Sequence, residues 1–284
     1  MKKLSLFILT SLLCFNTLAG QGFYPKPESG PKAWNLAAAQ GKLSGVSFVH
    51  KFGNAPDFDT DAGGNVVVWD GSNDALANTF AYTYSATANI TQLSSSSASD
   101  TEPIEIQGLN SAYELVVQTI TLTGTTAATI TTPLIRVFRM KNVGTSDLVG
   151  TVYATITGAG FSPAGVPDTG SEIRAIITIG ENQTLMAIYT IPAGKTGFLC
   201  SFYASTSKAV KTSAHIIRLK VKPFGQIFQT KHITSLIAAG VGHFSHIYDI
   251  PERIPAKADI EIRTDTDTNV AGVSAGFDLI LIDD

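Results

Sequence analysis

The chain has 284 residues, 44% of them apolar and 15% charged, and a net charge of −3. That apolar content supports one large or two medium cores and excludes a disordered polar chain. The near-neutral balance excludes an electrostatic nucleic-acid binder, so no nucleic-acid partner is expected.

Residues 1–19 read as a signal-like hydrophobic segment: Lys2 and Lys3, an apolar core Leu4–Phe15, and the small-residue pattern Thr17-Leu18-Ala19. Cleavage after Ala19 gives a mature start near Gly20. The apolar run is too short for a stable membrane span. Leu13 before Cys14 does not suit a lipoprotein signal. With the segment removed, Cys200 is the sole cysteine and no internal disulfide forms. Its place in an apolar run marks a small core residue rather than a nucleophile.

Residues 20–44 read as an N-terminal arm. Gln21–Lys32 holds three prolines and two glycines, and the alanine-rich Trp34–Gln40 suits a short helical turn.

From residue 45 the pattern is β. Short strands are expected at Val46–Phe52, Val66–Trp69, Phe80–Tyr84, Ile90–Leu93, Ile104–Gln107, Ala128–Ile130, Leu134–Met140 and Val149–Thr157. Tyr113–Leu122 carries little charge on either face, so both faces should be covered by protein. Between the first two strands, Asp57, Asp59 and Asp61 place hard oxygen ligands on one loop, as calcium requires. Ala62 and Val68 break the EF-hand pattern, and the plain alternative is an Asp/Gly turn capped by its own side chains. No other cofactor is expected.

Residues 158–170, GAGFSPAGVPDTG, form the best linker in the chain. Limited proteolysis should nick there, unless the stretch is a long loop inside one sandwich. Beyond it lie strands at Ile173–Ile179, Leu185–Ile191, Gly197–Ala204, Ile216–Pro223, Gln226–His232, Phe244–Tyr248, Ala258–Arg263 and Ser274–Leu281. Leu185–Ile191 and Gly197–Ala204, joined by the Pro192–Lys195 turn, read as a central hairpin. Phe277–Ile282 is more continuously apolar, which suits a strand buried on both faces. The fold class is therefore all-β: two antiparallel β-sandwich units, 45–157 and 171–284, the second jelly-roll-like.

The expected site chemistry is sparse. No nucleophile elbow, metalloprotease helix, P-loop or dinucleotide fingerprint occurs, so no enzyme is expected. His243 and His246 fall on opposite faces of a strand, which opposes shared zinc ligation. Arg218, Lys220 and Lys222 share one face, either solvated or in contact with a subunit or glycan.

Particular runs carry a resemblance. They are Ser94–Thr101, Ile106–Asn110, Thr119–Leu122, Gly124–Ala127 and Leu134–Arg139, then Glu181–Met186, Tyr189–Gly197 and Ser274–Leu281. Over residues 45–284 the chain resembles little-characterised β-rich virion proteins of tailed bacteriophages. The resemblance implies a non-enzymatic structural component, of capsid-decoration, head-fibre or tail-associated type. It implies other copies of the chain and virion proteins as partners, and a place in the virion. It carries no catalytic residues. The signal-like start departs from the pattern and supports the alternative: an exported adhesin or carbohydrate-binding module with a jelly-roll fold, at the cell surface or in the periplasm, meeting a host-surface glycan.

Overall fold

The computed structural model describes residues 31–58, 66–72, 81–208, 213–238, 242–267 and 271–284. Among these residues, one α-helix, α1 (Pro31–Ala39), precedes sixteen strands. In chain order the first nine are β1 (Val46–Phe58), β2 (Val66–Val67), β3 (Ile90–Ser95), β4 (Pro103–Leu109), β5 (Leu115–Thr121), β6 (Ala128–Leu134), β7 (Arg136–Asn142), β8 (Val152–Ile156) and β9 (Ile173–Ile177). The rest are β10 (Ile188–Thr190), β11 (Lys195–Lys208), β12 (Ser213–Lys222), β13 (Gln229–Ala238), β14 (His243–Ile254), β15 (Asp259–Thr266) and β16 (Ala271–Asp283).

Alternation builds the C-terminal strands. On β12, His215, Ile217, Leu219 and Val221 are buried, while Ile216, Arg218, Lys220 and Lys222 face the other way. On β15, Ile260 and Ile262 enter the same core. Phe202, Phe277 and Leu279 complete it with no exposed surface, each burial contributing about 1.5–3 kcal/mol. Phe277 and Leu279 lie on β16, which is paired on both sides and mostly apolar, with Asp278 on its other face meeting His50 and Ser201.

Two four-stranded antiparallel layers enclose this core, in the orders β1-β16-β11-β14 and β10-β15-β12-β13, with β2 extending the second along β15. Numbered one to eight along the chain, the eight strands divide as first, eighth, third, sixth against second, seventh, fourth, fifth. That is the jelly-roll arrangement. Strands β3–β9 are inserted between its first and second strands. They form their own sandwich, β6-β3-β8-β9 over β5-β4-β7, around Ile90, Leu93, Ile104, Ile106, Leu134 and Met140.

The unit boundaries differ from those the sequence suggests. Residues 158–170 connect β8 to β9, which pair directly, so this stretch is a loop within the inserted sandwich. The jelly roll takes β1 from the first half of the chain, through eleven β1–β16 residue pairs, and gives up β9. The expected hairpin at 185–204 is a corner: β10 and β11 lie in different sheets, with Gly194 at φ 71° making the turn. Strand β5 is covered on one side only, since Ile120 is buried while Leu115 and Val117 are exposed. Residues 81–84 form no strand; Tyr82 and Tyr84 are packed edge-on instead.

Candidate binding pocket and assembly edge

The outer face of the second jelly-roll sheet is charged. Register sets Lys222 beside Asp259, Lys220 beside Glu261 and Arg218 beside Arg263. One end of this face is roofed by the inserted sandwich, which buries Asp259 and Glu261 almost completely. Such burial is tolerable only with partners, and both carboxylates have them.

Arg136, at the start of β7, grips Asp259 with two bonds, Nε to Oδ1 at 2.9 Å and Nη2 to Oδ2 at 3.1 Å. Its Nη1 donates to the carbonyls of Ser85 (2.7 Å) and Ile135 (2.9 Å). Thr190 donates to Asp259 Oδ1 at 2.7 Å, and Lys222 Nζ lies 3.1 Å from Oδ2. Burial alone would lower the Arg136 pKa, but the Asp259 carboxylate outweighs it and holds the guanidinium charged. Glu261 accepts from the Tyr84 hydroxyl at 2.8 Å and from Arg263. Burial pushes the Glu261 carboxyl up despite Arg263, and burial with the nearby Glu261 and Asp259 pushes the Tyr84 phenol well up.

Around these pairs, cations and aromatic rings alternate in one row. Lys257 lies 5.4 Å from the Phe224 ring and 5.5 Å from Tyr113. Arg136 lies 5.7 Å from Tyr113 and 4.9 Å from Tyr84. Lys222 lies 4.7 Å from Tyr84 and 5.2 Å from Phe228, which Arg263 caps at 4.8 Å. A cavity of about 290 Å³ opens among Tyr84, Tyr113, Lys222, Phe224, Gln226 and Lys257. Two of its walls sit in left-handed backbone, Tyr113 at φ 64° and Lys257 at φ 62°. The β10–β11 corner pins both, because Ala193 N–H donates to Tyr113 O and Lys257 N–H donates to Ile191 O, each at 2.8 Å.

A second cavity, of about 230 Å³, lies where β1 meets β7. Lys51 donates there to the Phe138 carbonyl. Burial, with Arg139 nearby, pushes its ammonium down to about 7.

At the far side of the jelly roll, β13 and β14 are edge strands of opposite sheets and pack on each other. They expose Ile233, Ile237, Ile247 and Ile250, the last 87% accessible. Between them His232 and His246 lie with ring centroids 4.7 Å apart and planes tilted by 42°, beside Tyr248. Lys231 bridges to Glu252 at 2.9 Å.

The sequence-level candidates fall as follows. Asp57 lies near the end of β1, and Asp59 and Asp61 lie outside the described residues. Among the described residues, no three His, Cys, Asp or Glu side chains converge as metal ligands. His243 is exposed and faces away from His246, while His215 is fully buried in the jelly roll. Cys200 is half-buried, and burial pushes its thiol up. The basic row of β12 is not simply solvated, since Lys222 reaches Asp259 at the junction of the two units. Sequence reasoning missed Tyr84, Tyr113, Lys257 and Asp259. Only Asp259 left a readable signal, the Asp259-Glu261-Arg263 alternation beside a basic strand.

The chain is thus an all-β structural fold, a jelly roll carrying an inserted β-sandwich. No family model and no curated protein sequence matches it. Among solved structures it is similar to the VP2 subviral particle of infectious bursal disease virus, at 9% identity over 85% of this chain and 72% of that one, with a TM-score of 0.22. The Gt strain structure of that virus gives 12% identity, coverages of 85% and 73%, and a TM-score of 0.21. The Gx strain gives 12%, 84% and 71%, and 0.23. Among the described residues no helix is long and apolar enough to cross a membrane.

Proposed function

We propose that the chain is a non-enzymatic structural component of a bacteriophage virion, of capsid-decoration, head-fibre or tail-associated type, that assembles with copies of itself through the jelly-roll edge. The β13–β14 edge carries this reading. Among the described residues it joins two unpaired strand edges to four exposed isoleucines, a combination that solitary proteins blunt with charge. Its charged side chains, Lys231, Asp249, Glu252 and Arg253, balance in sign, so the surface suits a second copy of itself. The jelly roll is used by shells and lectins alike, and the fold alone selects neither.

Light scattering tests assembly. The chain should be oligomeric, and Ile247→Lys with Ile250→Lys should make it monomeric. Mass spectrometry of gradient-purified particles from the native source tests the virion reading. A strict monomer absent from particles would overturn it. The exported adhesin or carbohydrate-binding reading would then lead, supported by the cation-rich aromatic pocket.

A further inference from the structure

We propose that the pocket between the inserted sandwich and the jelly roll binds a sugar bearing a carboxylate, with Lys257 as the residue that receives the anionic group. Three observations carry this.

The first is charge. Arg136, Lys222 and Lys257 meet one carboxylate, Asp259, in the lining, which leaves an excess of positive charge. Arg136 spends four of its five N–H groups on protein acceptors. Lys257 is different: its ammonium lies over the Tyr113 and Phe224 rings, and among the described residues it forms no ion pair with a carboxylate. A half-buried ammonium held against aromatic faces retains its capacity to donate to an incoming oxyanion.

The second is strain. A tyrosine and a lysine with φ above 60° are in a backbone region costly for residues with a Cβ. The two face each other across the pocket, and neighbouring backbone hydrogen bonds hold both in place. An ordinary turn would carry glycine or asparagine at these positions. Here the strain keeps a cation and a ring in register.

The third is shape. A bare carboxylate would leave most of a 290 Å³ cavity empty, whereas a pyranose fills it. Tyr113 and the exposed Phe224 offer apolar surface to ring C–H groups, and Gln226 offers an amide to hydroxyls. The inference is independent of the assembly edge, which lies on other strands.

Calorimetric titration of the full chain tests it with methyl glucuronide, and with methyl glucoside as the neutral isostere. Methyl glucuronide should bind saturably at millimolar concentrations, and methyl glucoside at least about tenfold more weakly. Lys257→Asn removes the charge and places a residue tolerant of left-handed backbone, so the variant should be at least as stable as the parent. It should lose the preference for the glucuronide, while Phe224→Ala should weaken both glycosides. Acetate as a third probe separates the sugar from its charge. Acetate binding as tightly as methyl glucuronide would overturn the sugar assignment. No saturable glucuronide binding, or an unchanged preference in a folded Lys257→Asn variant, would overturn the site.

Discussion

Lys51 is buried between the two units and, among the described residues, forms no ion pair with a carboxylate. Burial first, then Arg139, bring its ammonium down to about 7 from 10.5. The sign follows from linkage. Above a pH of about 7 the folded protein has released this proton, while the unfolded chain holds it up to about 10.5, so stability at this site rises with pH. Relative to a permanently neutral side chain, Lys51 costs about 3 kcal/mol near pH 8 and about 1 kcal/mol near pH 9.5. Lys51→Met removes that cost and leaves the Phe138 carbonyl unpaired, a fixed penalty of about 1–3 kcal/mol. The difference between parent and variant should therefore shrink by about 2 kcal/mol in favour of the parent over that interval. Taking the difference cancels the other titrating groups, including Asp70, which burial pushes up to about 8. Urea denaturation of both proteins at several pH values reads it. A difference that stays constant from about pH 8 to 9.5 would refute the buried, uncompensated ammonium.

Arg136→Ala strands Asp259 in the junction with only Lys222 and Thr190. It should cost about 3–5 kcal/mol in denaturant melts, and a loss below about 1 kcal/mol would show the pair to be hydrated. Gly53→Ala puts a Cβ 2.3 Å from Ala187 N and 2.5 Å from Val68 O, backbone on both sides. It should cost at least about 1–3 kcal/mol, and an unchanged melting temperature would mean that β1 sits further from the β10 approach than described. A protease cut within residues 158–170 should leave two pieces that co-elute under native conditions and separate only in denaturant, because β8 and β9 pair across the loop. Fragments separating in native buffer would restore a boundary there.

What could be read from the sequence was the part of the fold with a short period. Alternation in Ile216–Lys222 and Ala258–Arg263, and the mostly apolar run at Phe277–Ile282, located β12, β15 and β16, because strand side chains repeat every two residues. Sheet membership was not readable. Ile191–Lys195 has the composition of a hairpin turn, yet the chain changes sheets there, and nothing local separates a turn from a corner. Nor does local pattern reveal that residues 46–58 belong with residues 271–283, a pairing across the whole insert. The pocket was hidden for a related reason. Arg136 and Asp259 are 123 residues apart, and Lys257 and Tyr113 occupy backbone conformations that composition assigns to glycine. Strand β5 misled because low charge on both faces was read as cover on both faces, whereas Leu115 and Val117 remain open.

Charge placement ties the junction to the assembly edge. The chain carries 20 Lys and Arg against 23 Asp and Glu, yet Lys51, Arg136, Arg174, Lys222 and Lys257 are drawn into or beside the junction. Among the described residues, Asp259 and Glu261 are buried with them there, and Asp70 is buried in the short helical turn that packs against both β1 and β9. The chain as a whole keeps a net charge of −3. Copies of such a chain repel one another at long range, while the balanced isoleucine edge neither attracts nor repels by charge. Apolar contact must overcome that repulsion, and added salt screens it over about 8–10 Å. Self-association through β13 and β14 should accordingly strengthen as sodium chloride rises from about 0.05 to 0.5 M, the reverse of an interface held by ion pairs. Light scattering across that range distinguishes the two. Dissociation at high salt would place the contact on charged surface and remove the isoleucine edge from the argument.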